Sequence, residues 1–540
     1  MTSKKTLWAF LLTLVLAMFL AACAGGSEEE SGGTDDGGTD DGGGSGEEVA
    51  AGGDLMLNVL SDVSSLDPHG SNDVPSSNVQ ANIYETLIFQ DENNELQPML
   101  AESWEPVDDL TWEFKLREGV KFHDGSDFTA EVVKANLDRV LDPEIASPRG
   151  FLYEMITEVT VVDDYTVQIT TEYPFAPLLA HLTHSGGAMI SLDAIEADYA
   201  AMEEGSEPGS VISQEPVGTG FMQFDSWTPG EEVVLTKFEE YWGEPAGIDS
   251  ATFRVVPESA TRLAELETGN AHIIDPVQPN EVSRIENLDG ANMNIQSSTS
   301  LAYLGFNMDK EPFNDVRVRQ AISMAIDKQS IIEGIYEGYG IEAIGPIPPG
   351  VFGFDESVEP LSYDMDQARA LLEEAGLADG FETSIWTNDN PQREAIAILV
   401  QEALAELNIT VDIQILEFGA FLEQTAAGQH DMFILGWSTP TGDADYATYA
   451  LFHSSQVGDP GNRSFLRDDE LDSLLEAGRQ ETDQDARADI YLQVQERLVE
   501  LAPMVYINHS EYLTGVSDKV QGFSVLPNGL YQLKDVTISE

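Results

Sequence analysis

The chain has 540 residues, and its 97 acidic side chains outnumber the 25 basic ones to give a formal net charge of −72. Residues 1–53 contain two lysines and nine of the carboxylates, so the remaining chain still carries a net charge of −65. This balance excludes nucleic acid and acidic lipid surfaces as partners, because like charges repel. A salt-adapted surface would explain the acidity, since concentrated salt screens self-repulsion. An alkaline habitat is the competing explanation.

The first 23 residues have the pattern of a secretion signal. Lys4 and Lys5 precede an apolar run from Leu7 to Leu20, which is short for a bilayer span. The run ends in Leu20-Ala21-Ala22-Cys23, which resembles a bacterial lipobox and contains the only cysteine of the chain. We therefore expect Cys23 to be lipidated and to anchor the protein to the cytoplasmic membrane, either on its outer face or in a periplasm. The alternative is a signal peptide whose cysteine is accidental.

Residues 24–53 are dominated by Gly, Ser, Thr, Asp and Glu, so they have little apolar surface to bury. We expect them to form a disordered acidic tether. The remaining 490 or so residues are too many for a single core and predict two or more domains. With one cysteine, packing alone has to hold these domains together.

The first half of this body alternates between strand-like and helix-like patterns. Apolar alternation and three- to four-residue spacing predict strands and helices in turn. The predicted elements are a strand at 55–60, a helix at 79–89, a strand at 110–116, a helix at 128–141, and strands at 158–162 and 166–170.

The second half contains a repeated strand–helix unit. The predicted elements are a strand at 382–386, a helix whose apolar face runs from Ile396 to Leu407, a strand at 409–415, a helix at 418–427 and a strand at 432–437. This order predicts parallel strands with right-handed crossovers. Ligands of such sheets bind beyond the carboxyl ends of the strands, where loops 387–391 and 438–445 are expected.

Four segments, spread over most of the chain in the same order, resemble the peptide- and nickel-type (family 5) solute-binding proteins of ABC importers. They are Ser64-Ser65-Leu66-Asp67-Pro68-His69 with Tyr84-Glu85-Thr86-Leu87, Leu100–Trp104 with Phe114–Gly125, Pro216-Val217-Gly218-Thr219-Gly220 with Tyr241-Trp242-Gly243, and Gly305–Met308 with Val316–Ile322. The resemblance implies an α/β fold of the periplasmic-binding-protein type (type II). Two lobes would close on a ligand by a hinge motion, and the first lobe would carry an additional inserted domain.

By the same analogy, domain I comprises residues 54–86, 217–298 and 509–540. The inserted domain II is residues 87–216, and domain III, the second lobe, is residues 299–508. The partners implied are a small solute, most simply a short peptide, and the transmembrane subunits of an ABC permease. We expect the protein to be a monomer.

Specificity is expected to depend on the segment Gly436-Trp437-Ser438-Thr439-Pro440-Thr441-Gly442-Asp443-Ala444-Asp445. In the family's dipeptide and oligopeptide binders, the third residue after this tryptophan is an aspartate that pairs with the α-amino group of the ligand. That position is Pro440 here, which argues against ordinary peptides. The segment looks closer to the glutathione-binding branch, and Asp443 or Asp445 is a candidate to replace the missing carboxylate.

The candidate ligand-binding residues are Trp437, Ser438, Thr439, Thr441, Asp443, Asp445, Asn72, Asp73, Asn388, Arg393, Tyr303 and Asn307. Arg393 is one of the few cations and is a candidate for a ligand carboxylate. Each has a structural alternative: core packing for Trp437, a solvated pair for the two aspartates, and a surface ion pair for Arg393. His69 is another candidate at the cleft edge, and Arg262 is expected to be structural.

Enzymatic activity finds little support in the sequence. His181 and His184 have helical spacing for a metal, but no third ligand follows from spacing, so we predict neither a metal nor a cofactor. Gly218-Thr219-Gly220 lacks the spacing of a phosphate-binding loop. The alternatives left open are a nickel chelate, haem or oligosaccharide as the ligand, a surface hydrolase, and a receptor for a peptide signal.

Overall fold

The computed structural model describes residues 52–458 and 461–539. The signal sequence, Cys23 and nearly all of the predicted tether lie outside these residues. Among the helices that are described, none combines the length and apolar character needed to cross a membrane.

The elements follow one another in five stretches of the chain. The first stretch contains β1 (Asp54–Val59) and α1 (Val74–Ile83). The second contains β2 (Ile88–Gln90), β3 (Leu96–Pro98), β4 (Ala101–Pro106), β5 (Thr111–Leu116), α2 (Ala130–Leu141), β6 (Ile156–Asp163), β7 (Thr166–Thr171), α3 (Leu178–His181), α4 (Leu192–Glu203) and α5 (Ser210–Gln214). The third contains β8 (Met222–Thr228), β9 (Glu232–Lys237), β10 (Ser250–Val255), α6 (Ser259–Thr268), β11 (Ile273–Asp275), α7 (Val282–Glu286) and β12 (Ala291–Ser297).

The fourth stretch contains β13 (Ser300–Phe306), α8 (Val316–Ala325), α9 (Lys328–Ile335), β14 (Ile341–Glu342), α10 (Met365–Glu374), β15 (Glu382–Asn388), α11 (Pro391–Ala405), β16 (Thr410–Leu416), α12 (Phe418–Ala426), β17 (Met432–Ser438), α13 (Ala444–Phe452), α14 (Asp469–Gln480), α15 (Gln484–Leu501) and β18 (Met504–His509). The fifth contains β19 (Glu511–Ser517), β20 (Val520–Gln521), β21 (Ser524–Val525), β22 (Tyr531–Gln532) and β23 (Thr537–Ile538).

A seven-stranded sheet joins three separate stretches of sequence in the order β12-β19-β11-β1-β10-β9-β8. β1 lies between β10 and β11 and is parallel to both, whereas β19 is antiparallel to β11 and β12. The inward residues of β1, Leu55 and Leu57, are buried in the core of this lobe. Because β1 is buried between two parallel neighbours, strands that are far apart in sequence come together in one lobe.

The stretch between α1 and β8, residues 84–221, is called the α2–β8 region below. It forms its own core around the four-stranded antiparallel sheet β4-β5-β7-β6. Helix α2 covers this sheet, and Val133 and Leu137 pack with Phe114 of β5. Helix α2 starts at Ala130 and ends at Leu141, close to the predicted helix at 128–141.

The second lobe is built on the six-stranded sheet β14-β18-β13-β17-β15-β16. β15 is parallel to both β16 and β17, as the strand–helix repeat predicts. Helix α11 buries Ile396, Val400 and Leu404 against this sheet. The α/β fold of a two-lobed type II binding protein is thus confirmed, while the domain boundaries stay predictions.

The predicted helix at 79–89 is wrong in position. Helix α1 starts at Val74 and ends at Ile83, with Asp73 as its N-cap and Pro75 in its first turn. Its buried face includes Ser76, Ser77, Asn78 and Gln80, so it lacks the apolar periodicity by which a helix is recognised.

Two of the segments that carried the family resemblance meet at one buried carboxylate. Glu85 accepts hydrogen bonds from Thr219 Oγ1 (2.8 Å), Tyr241 Oη (2.7 Å) and Trp242 Nε1 (2.8 Å). Burial raises the pKa of Glu85, although these three donors oppose the shift. Gly218 fits beside this cluster only without a side chain, because a Cβ there would lie 2.1 Å from the Ile83 carbonyl oxygen.

Candidate ligand-binding cleft

A cavity of about 620 Å³ lies between the lobes, a size typical of small-molecule sites. The first lobe, the α2–β8 region and the second lobe all contribute residues to its wall. The lining residues that matter below are Asn72 and Asp73 at the start of α1, Arg149 and His184 of the α2–β8 region, and Trp437, Ser438, Pro440, Tyr446 and Arg463 of the second lobe.

Of the predicted ligand residues, Asn72, Asp73, Trp437 and Ser438 line this cavity, as does Pro440. Trp437 is fixed by its indole, whose Nε1 donates to the Tyr446 carbonyl at 3.1 Å while the two rings lie 5.6 Å apart. Strand β17 ends at Ser438, so these residues occupy the carboxyl end of a sheet strand, where the sequence predicts the ligand.

Asp73 combines its position on the cavity wall with a capping role. Its Oδ1 accepts the Ser76 N–H at 2.8 Å, and its Oδ2 accepts from the hydroxyls of Ser64 and Ser76. The carboxylate is thereby held at the N-terminus of α1, where the helix dipole favours a negative charge. Asp73 remains half-buried and is the one acidic residue among those that line the cavity.

Asp443 has a different partner from the one predicted. Its two carboxylate oxygens accept hydrogen bonds from Nη1 and Nη2 of Arg487, both at 2.7 Å, and its Oδ1 also caps α13. Burial disfavours the charge of Arg487, but Asp443 holds the pKa of this arginine above its ordinary value. The geometry gives Asp443 a role in ordering the loop, and it does not line the cavity.

Asp445 lies where the second lobe meets the α2–β8 region. Its Oδ1 is 3.1 Å from Arg479 Nε, and its Oδ2 is 3.4 Å from Nε2 of His181. All three side chains are buried. Burial raises the pKa of Asp445, but attraction to Arg479, His181 and Arg487 prevails and lowers it overall. Asp445 therefore contributes to contact between the lobes, and it too does not line the cavity.

Two hydrogen bonds to backbone carbonyls reinforce this contact between the lobes. The Ala176 N–H donates to the Arg479 carbonyl at 2.8 Å, and Gln90 Nε2 donates to the Thr441 carbonyl at 2.9 Å. Gly442 makes the second approach possible, because its φ is +63° and a Cβ there would lie 2.2 Å from Gln90 Nε2. Thr439 and Thr441 are buried beside these contacts and are not among the cavity residues.

Three of the candidate residues, Asn388, Arg393 and Tyr303, lie near the end of β15 and outside the cavity lining. Arg393 Nη1 donates to Asn388 Oδ1 at 2.6 Å, and burial lowers the pKa of Arg393. Tyr303 is buried next to it with its ring against Phe433, and burial raises the pKa of Tyr303 to about 12. Gly436 does line the cavity, and a Cβ there would lie 3.3 Å from Arg393 Nη2.

The remaining candidates have structural contacts. Asn307 Nδ2 donates to the carbonyls of Gly428 and His430, at 2.9 and 3.0 Å. His69 is buried 3.0 Å from Arg139, and Arg262 donates to three backbone carbonyls. No group of side chains able to hold a metal occurs among the described residues, and His181 and His184 contact Asp445 and Arg149 instead.

The sequence reasoning missed Arg149, which lines the cavity although it is 3% exposed. Its Nε donates to the Ser71 carbonyl at 2.5 Å, its Nη1 lies 2.9 Å from His184 Nε2, and its Nη2 donates to Ser77 Oγ at 3.3 Å. Burial lowers the pKa of Arg149. The available signal was a cation in the short loop after α2, Ser147-Pro148-Arg149-Gly150, within a chain that contains few cations.

Two lobes that enclose one cavity, with walls from both, define the class of clamp-like solute-binding proteins. Residues 95–459 match the family model described as bacterial extracellular solute-binding proteins, family 5 Middle. The chain belongs to this family.

Similar proteins cover nearly the whole chain. The glutathione-binding protein GsiB of Salmonella typhi is 33% identical over 496 residues, which are 90% of this chain and 94% of that protein. The periplasmic binding protein DppA from Helicobacter pylori, solved with the peptide STSA, is 31% identical, with a TM-score of 0.81 over 91% of this chain and 99% of that one. A dipeptide-binding protein from Pseudoalteromonas sp. SM9913, solved with Met-Leu, has a TM-score of 0.82 and 25% identity over 90% of this chain and 100% of that one.

Proposed function

We propose that the protein is the lipid-anchored binding component of an ABC importer, with glutathione as its ligand. Lipid on Cys23 would hold it at the outer face of the cytoplasmic membrane or in a periplasm. It would capture the solute, close by a hinge motion and deliver it to the permease subunits without chemical change. Relatives named as glutathione-binding over 90% of the chain support this ligand.

The observation that carries the proposal is the cavity between the lobes with Pro440 in its wall. A proline side chain has neither charge nor hydrogen-bonding atoms, so the position cannot pair with an α-amine. Asp73 is the carboxylate on the cavity wall, and it lies in the first lobe. A ligand whose amine is placed differently from that of an ordinary peptide fits this arrangement, and the γ-glutamyl amine of glutathione is such a group.

Calorimetric titration of the chain from residue 24 onwards, in concentrated salt, tests the proposal. The ligands are reduced and oxidised glutathione, di- to pentapeptides, and a nickel–histidine mixture. We expect tight binding of glutathione and weak or no binding of the others, with the glutathione recovered unchanged. Tight binding of ordinary peptides without glutathione would contradict the ligand assignment, and turnover would contradict the class.

A pair of variants locates the binding. Asn72→Trp places a large ring on the cavity wall and is expected to weaken glutathione binding strongly. Asn287→Trp makes the same change at an exposed position on the first lobe outside the cavity and is expected to leave affinity unchanged. Equal effects of the two substitutions would place the ligand elsewhere.

A further inference from the structure

We infer that Arg149 binds a carboxylate of the ligand, so the cleft selects solutes that carry an anionic group at that end. This inference rests on the proposed function of the cavity as a solute site. It assigns a residue outside loops 387–391 and 438–445, and it places the anion contact on the α2–β8 region instead of on the second lobe.

The first argument is the charge of Arg149 and the neutrality of its contacts. Its partners are a carbonyl oxygen, an imidazole and a hydroxyl, and no described carboxylate forms an ion pair with it. The pKa of His184 is lowered by burial and by Arg149, so this partner is neutral as well. Asp73 attracts the guanidinium without forming an ion pair with it, so the buried charge is only partly compensated, which is costly in a protein interior.

Other buried arginines of this protein meet that cost in two ways. Arg262 and Arg319 each donate to three backbone carbonyls, whereas two others pair with carboxylates. Arg139 lies 2.8 Å from Asp67 and 3.0 Å from Asp198, and Arg487 pairs with both oxygens of Asp443. With 97 acidic residues in the chain, a carboxylate partner for Arg149 is easily supplied. Arg149 has one carbonyl partner and no paired carboxylate, and it is the one of these five arginines that lines the cavity, so we assign its anion to the ligand.

The second argument is that contacts hold Arg149 in place but leave some of its N–H donors without a hydrogen-bond partner in the protein. A guanidinium has five N–H donors, and the three contacts engage at most one N–H on each nitrogen, so at least one N–H remains on each of Nη1 and Nη2. Gly186 packs directly against the stem, since a Cβ there would lie 2.7 Å from Arg149 Cγ. Two donors fixed in one plane are suited to a carboxylate, and fixing them beforehand lowers the entropy cost of binding.

The test is a cycle of protein variants and ligand analogues, measured by calorimetry in concentrated salt. The protein is the wild type or Arg149→Gln. The ligands are glutathione, glutathione amidated at glycine, and an analogue with 4-aminobutyrate in place of the γ-glutamyl residue. We expect Arg149→Gln to weaken glutathione binding about a hundredfold. We expect it to weaken binding of one of the two analogues less than threefold, because that analogue lacks the contacting carboxylate.

A purely structural role of Arg149 predicts a different pattern, in which all three ligands lose the same factor. That pattern would overturn the inference. Arg149→Lys keeps the charge but loses the fork and should fall between wild type and Arg149→Gln. Arg467→Gln, which removes a half-exposed arginine paired with Asp309, is the matched control and should bind like wild type.

A second measurement separates this inference from the glutathione assignment. If glutathione does not bind the wild type, the assignment fails, and glutarate becomes the probe of Arg149. At equal ionic strength, glutarate is expected to raise the melting temperature of the wild type more than chloride does, and to lose this advantage in Arg149→Gln. The absence of any glutarate effect, together with the absence of glutathione binding, would overturn the inference.

Discussion

The regions on the two sides of the cleft use their charged residues in opposite ways. In the second lobe, the carboxylates of Asp443 and Asp445 are taken up by Arg487 and Arg479, within the protein. Across the cavity, Arg149 has only neutral contacts. Charges that are paired internally stabilise the loop and the contact between lobes, whereas Arg149, which is preorganised and forms no ion pair, is the cation that we propose for the ligand.

The largest expected effect tests the paired side of this comparison. Asp443→Ala leaves Arg487 buried without its carboxylate, and we expect a loss of about 3–5 kcal/mol in the free energy of unfolding. Urea denaturation measures it. Asp309→Ala breaks the exposed pair with Arg467 and is the control, with an expected loss below ~1 kcal/mol. Similar losses for the two variants would mean that burial does not distinguish the pairs.

Asp445→Asn is expected to have a smaller effect, about 1–3 kcal/mol, because the amide keeps some hydrogen bonding to Arg479 and His181. Since this contact joins the two lobes, the free protein should also become more open. Small-angle X-ray scattering measures the opening as an increase in the radius of gyration. An unchanged radius would show that other contacts suffice to hold the lobes together.

The contacts of Asp445 also make the stability of the protein depend on pH, with a defined sign. The folded-state pKa of Asp445 is lowered, so its contribution to stability is complete above the unfolded value of about 4 and is lost as pH falls through the lowered pKa. Asp445→Asn should therefore flatten the acid limb of the stability curve below about pH 4. An acid limb with the slope of wild type would assign that limb to other carboxylates.

Gly186→Ala tests Arg149, which forms no ion pair in this comparison, and it does so without removing a charge. The added methyl group would lie 2.7 Å from Cγ of Arg149 and should displace the guanidinium. We expect ligand affinity to fall about tenfold, and stability by about 1–2 kcal/mol from overpacking. Calorimetry and thermal unfolding measure the two quantities. Gly334→Ala, at a helical glycine with open space around it, is the control.

Salt should have the smallest effect, and it should act on the surface more than on buried pairs. Screening of the acidic surface in ~1 M salt, where the Debye length is about 3 Å, is expected to raise the melting temperature by ~2 °C or more. The stability difference between Asp443→Ala and wild type should persist there, because burial limits screening. A melting temperature that falls with salt would contradict the salt-adapted interpretation.

The sequence by itself determined the α/β class and the parallel strands of the second lobe, because apolar periodicity in β15, α11 and β16 reports burial directly. It also predicted that Trp437 and Ser438 lie on the cleft, since a strand's carboxyl end is readable from local pattern. It misplaced α1, whose buried face is polar.

Only the tertiary structure decided which charges are free. Asp443 and Arg487 are far apart in sequence, as are Asp445 and His181, so no spacing rule announces these pairs. Arg149 likewise gains its significance from Ser71, Ser77 and His184, which belong to other elements. Local patterns follow from the chain's own periodicity, but the partner of a buried charge depends on which distant segments the fold brings together.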